Sequence, residues 1–157
     1  MAIRNIVKKG DSVLGKVCRP VTDFNERLWV LLDDMHDTLH DADGAGLAAP
    51  QVGVLRSLAL VMLDDGSYLE IINPKIVSYE GTQSGAEGCL SVPDLYGIVT
   101  RPMKVTVEAQ DRYGKPFTME AEGFTARAFC HEIDHLSGHL FTELVEKYID
   151  INDQDEE

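Results

Sequence analysis

Between residues 103 and 136 the chain changes its hydrophobic period, and that change limits the fold more than any other feature. MKVTVEAQD (103–111) alternates apolar and polar positions, as a half-buried strand does. RYGK reads as a turn, and FTMEAEG (117–123) as the returning strand of a hairpin. The spacing then becomes helical, which predicts a helix from about Thr125 to Leu136. Strands grouped before and after one central helix, without strict β–α alternation, predict an α+β fold.

The rest of the chain fits that class. VTDFNERLWVLLDDMHDTLHDADG reads as a first helix, with Asp23 as its cap and Glu26 as the reciprocal partner. Leu28, Leu31, Leu32, Met35 and Leu39 form one apolar stripe, and Asp33, Asp34, Asp37 and Asp41 a solvated face. GAGLAAPQVGV holds too much Gly and Pro for a long regular element. Residues 58–63 read as a strand, and 69–79 as one or two strands broken near Asn73-Pro74. A short final helix is expected near 142–149.

Length and charge narrow the function. The chain has 157 residues, enough for one domain, placed at 1–150 with an acidic tail at 151–157. Its net charge is −13, which disfavours direct nucleic-acid binding. The charge is uneven. The first 20 residues hold five basic side chains against Asp11, and the last 15 hold seven acids against Lys147. No apolar run nears the ~20 residues of a membrane span, and the first residues lack a signal peptide's apolar block. A cytoplasmic monomer is expected. Three cysteines, Cys18, Cys89 and Cys130, are too few and too odd for a disulfide framework.

The predicted second helix carries HEIDH (131–135). Histidines four apart lie one turn apart on one helix face. Glu132 sits about 100° round from His131, within reach of a water on the same ion. Two imidazoles and a carboxylate in this pattern suit metal-assisted hydrolysis. Two histidines are too few, so a third ligand is needed. One zinc-peptidase class adds a histidine downstream, but Phe141 occupies that position, and His139 comes two residues too early. Glu143, Glu146 and Glu156 are poor alternatives from a later helix, so an upstream ligand is preferred. Thiolates bind zinc and iron well. Cys130 is turned about 100° from His131 and reads as core packing. Cys18 also reads as buried. Cys89, in EGCLSVP (87–93) beside the permissive Gly88, is the better candidate.

Three stretches together, GAGLAAPQ (44–51), EGCLSVP (87–93) and HEIDHLSG (131–138), resemble the three motifs of peptide deformylases, in order and at similar spacing. The resemblance spans nearly the whole chain. It implies an α+β fold of mixed or antiparallel sheets around a central metal-binding helix, with an N-terminal helix. It implies removal of the N-formyl group from the initiator formyl-methionine of nascent polypeptides, releasing formate. It makes Cys89, His131 and His135 the metal ligands, Glu132 the general base and acid, and Gln51 with the backbone N–H of Leu90 the oxyanion donors. It implies Fe²⁺ in the cell, with Zn²⁺, Ni²⁺ or Co²⁺ as substitutes. The ribosome is a transient partner by the same resemblance, although the acidic C-terminus suits ribosomal RNA poorly.

Some roles remain open at this level. Gly46 and Gly88 are candidate substrate-binding positions, Gly46 and its neighbours hydrogen-bonding an extended peptide as an added strand would. Phe124 and Ala128 are candidates for the methionine pocket, with plain core as the alternative. Asp134 is a candidate to orient a ligand or pair with a cation, and Glu87 to pair with Arg101. Cys130 stands where the family often has glutamine, and adds an oxidisable thiol. A peptidase cutting internal bonds and a silent binding homologue are the rival readings. The first lacks its downstream ligand; the second is disfavoured because Gln51, Cys89, Glu132 and both histidines are all present.

Overall fold

The computed structural model describes residues 2–149. In chain order the elements are α1 (Glu26–Ala42), β1 (Gly46–Ala48), β2 (Leu58–Met62), β3 (Tyr68–Glu80), β4 (Gln83–Cys89), β5 (Val92–Arg101), β6 (Lys104–Gln110), β7 (Pro116–Glu122), α2 (Gly123–Leu136) and β8 (Lys147–Ile149). They build a five-stranded sheet of order β1-β2-β3-β6-β7 and a three-stranded sheet of order β4-β5-β8. Every strand pair is antiparallel. The α+β expectation holds, and the strands of both sheets pair antiparallel.

The larger sheet is covered on both faces, and β2 shows why. Leu58 and Leu60 pack with Leu28, Leu32, Met35 and Leu39 of α1. Ala59 and Val61 point the other way, into a cluster with Ala126 and Phe129 of α2. A strand buried on both faces reads as a continuous apolar run, as LALVM does. Phe129 is fully buried in that second cluster, so its truncation to Ala costs about 3–5 kcal/mol. This packing fixes the rotation of α2 and thereby the direction in which its histidines project.

Four local expectations change. First, α1 begins at Glu26, with Asn25 rather than Asp23 as its cap: Asn25 Oδ1 accepts from Leu28 N–H at 3.3 Å. Second, Asp34 is buried, not solvated. The N-terminal segment folds back over α1, where Ala2 N–H and Arg4 Nε donate to the Asp34 carboxylate at 2.8 and 3.0 Å. Third, the Asn73-Pro74 break is a bulge inside one long strand. Asn73 takes a left-handed conformation, φ 50°, and its side chain bonds both backbone groups of Val21 and the side chain of Gln110. Those bonds replace what the interrupted ladder loses. Fourth, the final segment is not a helix. A single 3-10 turn, Phe141–Glu143, leads into β8, which pairs with β5. The acidic tail lies outside the described residues.

The exit of α2 is set by Gly138. Its φ is +81°, and a Cβ there would lie 2.7 Å from the carbonyl oxygen of Gly15. A side chain at 138 would push away the end of the 3-10 turn Ser12–Gly15 and the segment after it, whose Cys18 N–H donates to Leu136 C=O.

Candidate active site

Helix α2 brings His131 and His135 together at a ring separation of 5.0 Å. The end of β4 brings Cys89, whose Sγ lies 3.4 Å from Nε2 of His135. Ligand atoms of Cys89, His131 and His135 all fall within 4.8 Å of one another. Thiolate and two imidazoles are a suitable donor set for a first-row divalent ion, with room for a fourth position. Cys18 and Cys130 lie instead in the apolar cluster around Phe129. Burial pushes the pKa of each up to about 11, which keeps both as thiols. Cys130 is a buried core side chain. Phe141 stacks on the His131 ring at 5.8 Å. His139 is exposed and paired with Glu143, away from the cluster.

A buried ion network stands behind the histidines. The Glu87 carboxylate accepts from Nδ1–H of His131 at 2.9 Å. Arg101 donates to both Glu87 oxygens at 2.9 Å each, and Arg127 donates to one at 2.8 Å. Arg101 also donates to Asp134 at 2.6 Å. The sequence raised the pairings of Glu87 and Asp134 with a cation but missed Arg127, which no motif marks. Burial works against ionisation of Glu87, yet the bonds from Arg101 and His131 hold its pKa down at about 2. An ionised carboxylate only accepts, so Nδ1 of His131 carries the hydrogen and Nε2 turns to the cluster. Burial lowers the pKa of His135 well below its usual value. That favours the neutral imidazole a ligand must be.

Glu132 is almost fully buried, and its Oε1 has no hydrogen-bond partner among the described residues. Burial raises its pKa to about 7, with His131 opposing. An orphaned carboxylate oxygen beside a ligand set is expected where the carboxylate's partner is a water or substrate atom. Gly46 faces it: a Cβ at 46 would overlap the Glu132 carboxylate. The strand that holds Gly46, β1, is an outer strand of the sheet and among the described residues pairs with β2 alone.

Gln51 is buried in a 3-10 turn, Ala49–Val52. Its Oε1 accepts from Ala48 N–H at 2.9 Å, and its Nε2 donates to Ser91 Oγ at 3.1 Å and lies 3.5 Å from Cys89 Sγ. Leu90 and Ser91 form the two-residue turn between β4 and β5. Gly88 lies at the end of β4 against the ring of Tyr96. A Cβ there would lie 2.5 Å from the Tyr96 ring, so its absence makes room for Tyr96. Phe124 is 60% exposed on the first turn of α2, and Ala128 packs in the core cluster around Phe129.

Comparison with known proteins agrees with this geometry. The sequence model of the polypeptide deformylase family matches residues 3–149. The chain belongs to that family. A peptide deformylase of Caldicellulosiruptor bescii is 50% identical over 149 residues, which cover 95% of this chain and 89% of the relative. One of Lachnoclostridium phytofermentans is 51% identical, over 100% of this chain and 98% of the relative. The crystal structure of a peptide deformylase from Legionella pneumophila superposes with a TM-score of 0.89 at 47% identity, covering 92% of this chain and 87% of that one. That of Thermotoga maritima gives 0.91 at 35% identity, covering 93% and 99%. As a polypeptide deformylase the chain is a metal-dependent hydrolase that removes the N-formyl group from nascent polypeptides. No helix among the described residues is long and apolar enough to cross a membrane.

Proposed function

We propose that Cys89, His131 and His135 hold one divalent ion, Fe²⁺ in the cell, with Zn²⁺, Ni²⁺ or Co²⁺ able to replace it. Support comes from the donor set, which suits these ions, and from the compact three-ligand cluster. Fe²⁺ among them rests on the family resemblance. The ion supplies Lewis acidity to water and to the formyl oxygen.

The rest is the work of side chains. Glu132 Oε1 takes a proton from the attacking water, whose oxygen adds to the formyl carbon. As negative charge grows on the formyl oxygen, the Gln51 amide and the Leu90 N–H donate to it. Glu132 then returns the proton to the leaving amine, giving formate and a free N-terminus. Gly46 belongs to the open edge of β1, where the peptide main chain adds as a further strand. Gly88, next to the ligand Cys89, is the second substrate-binding position, and its lack of a side chain also lets Tyr96 pack close. The observation that carries this reading is the unpartnered, buried Glu132 oxygen next to the cluster.

We further propose a cytoplasmic monomer of one catalytic domain, 1–150, with 151–157 as a solubilising tail, meeting its substrate at the ribosome without stable docking. Formate release from a formyl-Met peptide by anaerobically purified protein, with metal analysis of the same sample, tests the central reading. Metal-loaded protein that releases no formate, or that cuts internal bonds, sinks it.

A further inference from the structure

We infer that Ser91 is a positioning residue for the reaction: its hydroxyl holds the Gln51 amide so that one N–H is aimed at the metal cluster. The inference rests on the reading of Gln51 as an oxyanion donor.

A primary amide has two N–H bonds on nitrogen and one acceptor oxygen. Both ends of Gln51 are held. The oxygen takes the Ala48 backbone N–H, which fixes which way round the amide stands, because a flipped amide would set two donors against each other. The nitrogen donates to Ser91 Oγ at 3.1 Å. With one N–H committed there, the planar group leaves the other directed to the side on which Cys89 Sγ lies, 3.5 Å away. A donor that is already oriented costs no reorganisation when charge appears on the substrate oxygen.

Ser91 is suited to be the fixed partner. It is fully buried, at 0% exposure, although serine is usually found at the surface. It is also anchored. Lys9 N–H donates to Ser91 C=O at 2.7 Å, and Val7 N–H donates to Gln51 C=O at 2.7 Å. One short segment, Val7–Lys9, therefore ties the turn of Gln51 to the turn of Ser91. Lys8 adds a bond from its ammonium to Leu90 C=O at 3.2 Å. The spacing between the two proposed oxyanion donors is thereby braced by the Val7–Lys9 segment.

The test is a double-mutant cycle on kcat, KM, metal content and thermal midpoint. Ser91→Ala is expected to lower kcat about tenfold, the value of one net hydrogen bond, with KM and metal content little changed. In a Gln51→Ala background the same Ser91 change is expected to cost almost nothing, since the group it orients is gone. If Gln51→Ala is costly but Ser91→Ala is silent, or if the two losses multiply in full, the Ser91 inference is overturned while the role of Gln51 stands. If Gln51→Ala is itself silent, both fall. Should Ser91→Ala lose its fold, the wild-type protein decides: slow solvent exchange of the Gln51 side-chain amide protons supports a held amide, and exchange at the rate of a free glutamine overturns it.

Discussion

Glu87 stands 2.9 Å from Nδ1 of His131 and binds two arginines with the same carboxylate. It therefore sets the tautomer of a proposed ligand from the side away from the ion. Glu87→Gln keeps the size but removes the charge that balances Arg101 and Arg127. Metal affinity is expected to fall roughly 10–100-fold, the usual effect of losing such a partner. Competition with a chelator measures it. Unchanged affinity would show that the arginines, not the histidine, are the business of Glu87.

Glu132 and Gly46 make a linked pair. Glu132→Gln should retain the ion and lose turnover; loss of metal in that variant would contradict its role as base. Gly46→Ala should also retain the ion, because its new methyl group presses on the Glu132 carboxylate and not on a ligand. Displacing a catalytic group by about 1 Å can cost roughly 10²-fold in rate, and that is the loss expected in formate release.

The three cysteines separate cleanly. Cys89→Ser should strip most of the bound metal, while Cys18→Ser and Cys130→Ser should keep it. Cys18 and Cys130 should also resist alkylation in the folded protein, since burial holds both as thiols. Mass spectrometry of labelled native protein reads this directly. Fast labelling of Cys130 would contradict its place in the core.

Away from the site, Glu70 gives a pH dependence. Burial alone would raise its pKa, but bonds from Arg112 and His36 outweigh burial and lower it to about 2, from 4.5. The folded-state value is the lower one, so the stabilisation is complete above about 4.5 and is lost as pH falls toward about 2. Glu70→Gln should lower the thermal midpoint at neutral pH and flatten its fall across that acid range. Parallel curves for the two proteins would rule out Glu70 as a contributor to acid unfolding.

The sequence by itself determined the parts that depend on local spacing. Periodicity located both helices and the β6–β7 hairpin, and the HEIDH spacing put two histidines on one helix face. The three motifs in order pointed to the family before any fold was known. Where local pattern misled, a distant partner was responsible. Asp34 looked solvated until the N-terminal segment covered it. Residues 142–149 looked helical until the edge of β5 offered them a ladder.

Only the tertiary structure decided how the motifs meet. Cys89, Gln51 and the histidines come from separate turns, strands and a helix, and their approach depends on α2 packing into the sheet through Phe129 and Ala126. Arg127 and Ser91 carry no sequence signal of their own, because an arginine in a helix or a serine in a turn is ordinarily solvated. Their roles come from burial beside Glu87 and Gln51. Burial and long-range hydrogen bonds are properties of the folded chain, and no reading of neighbours along the sequence contains them.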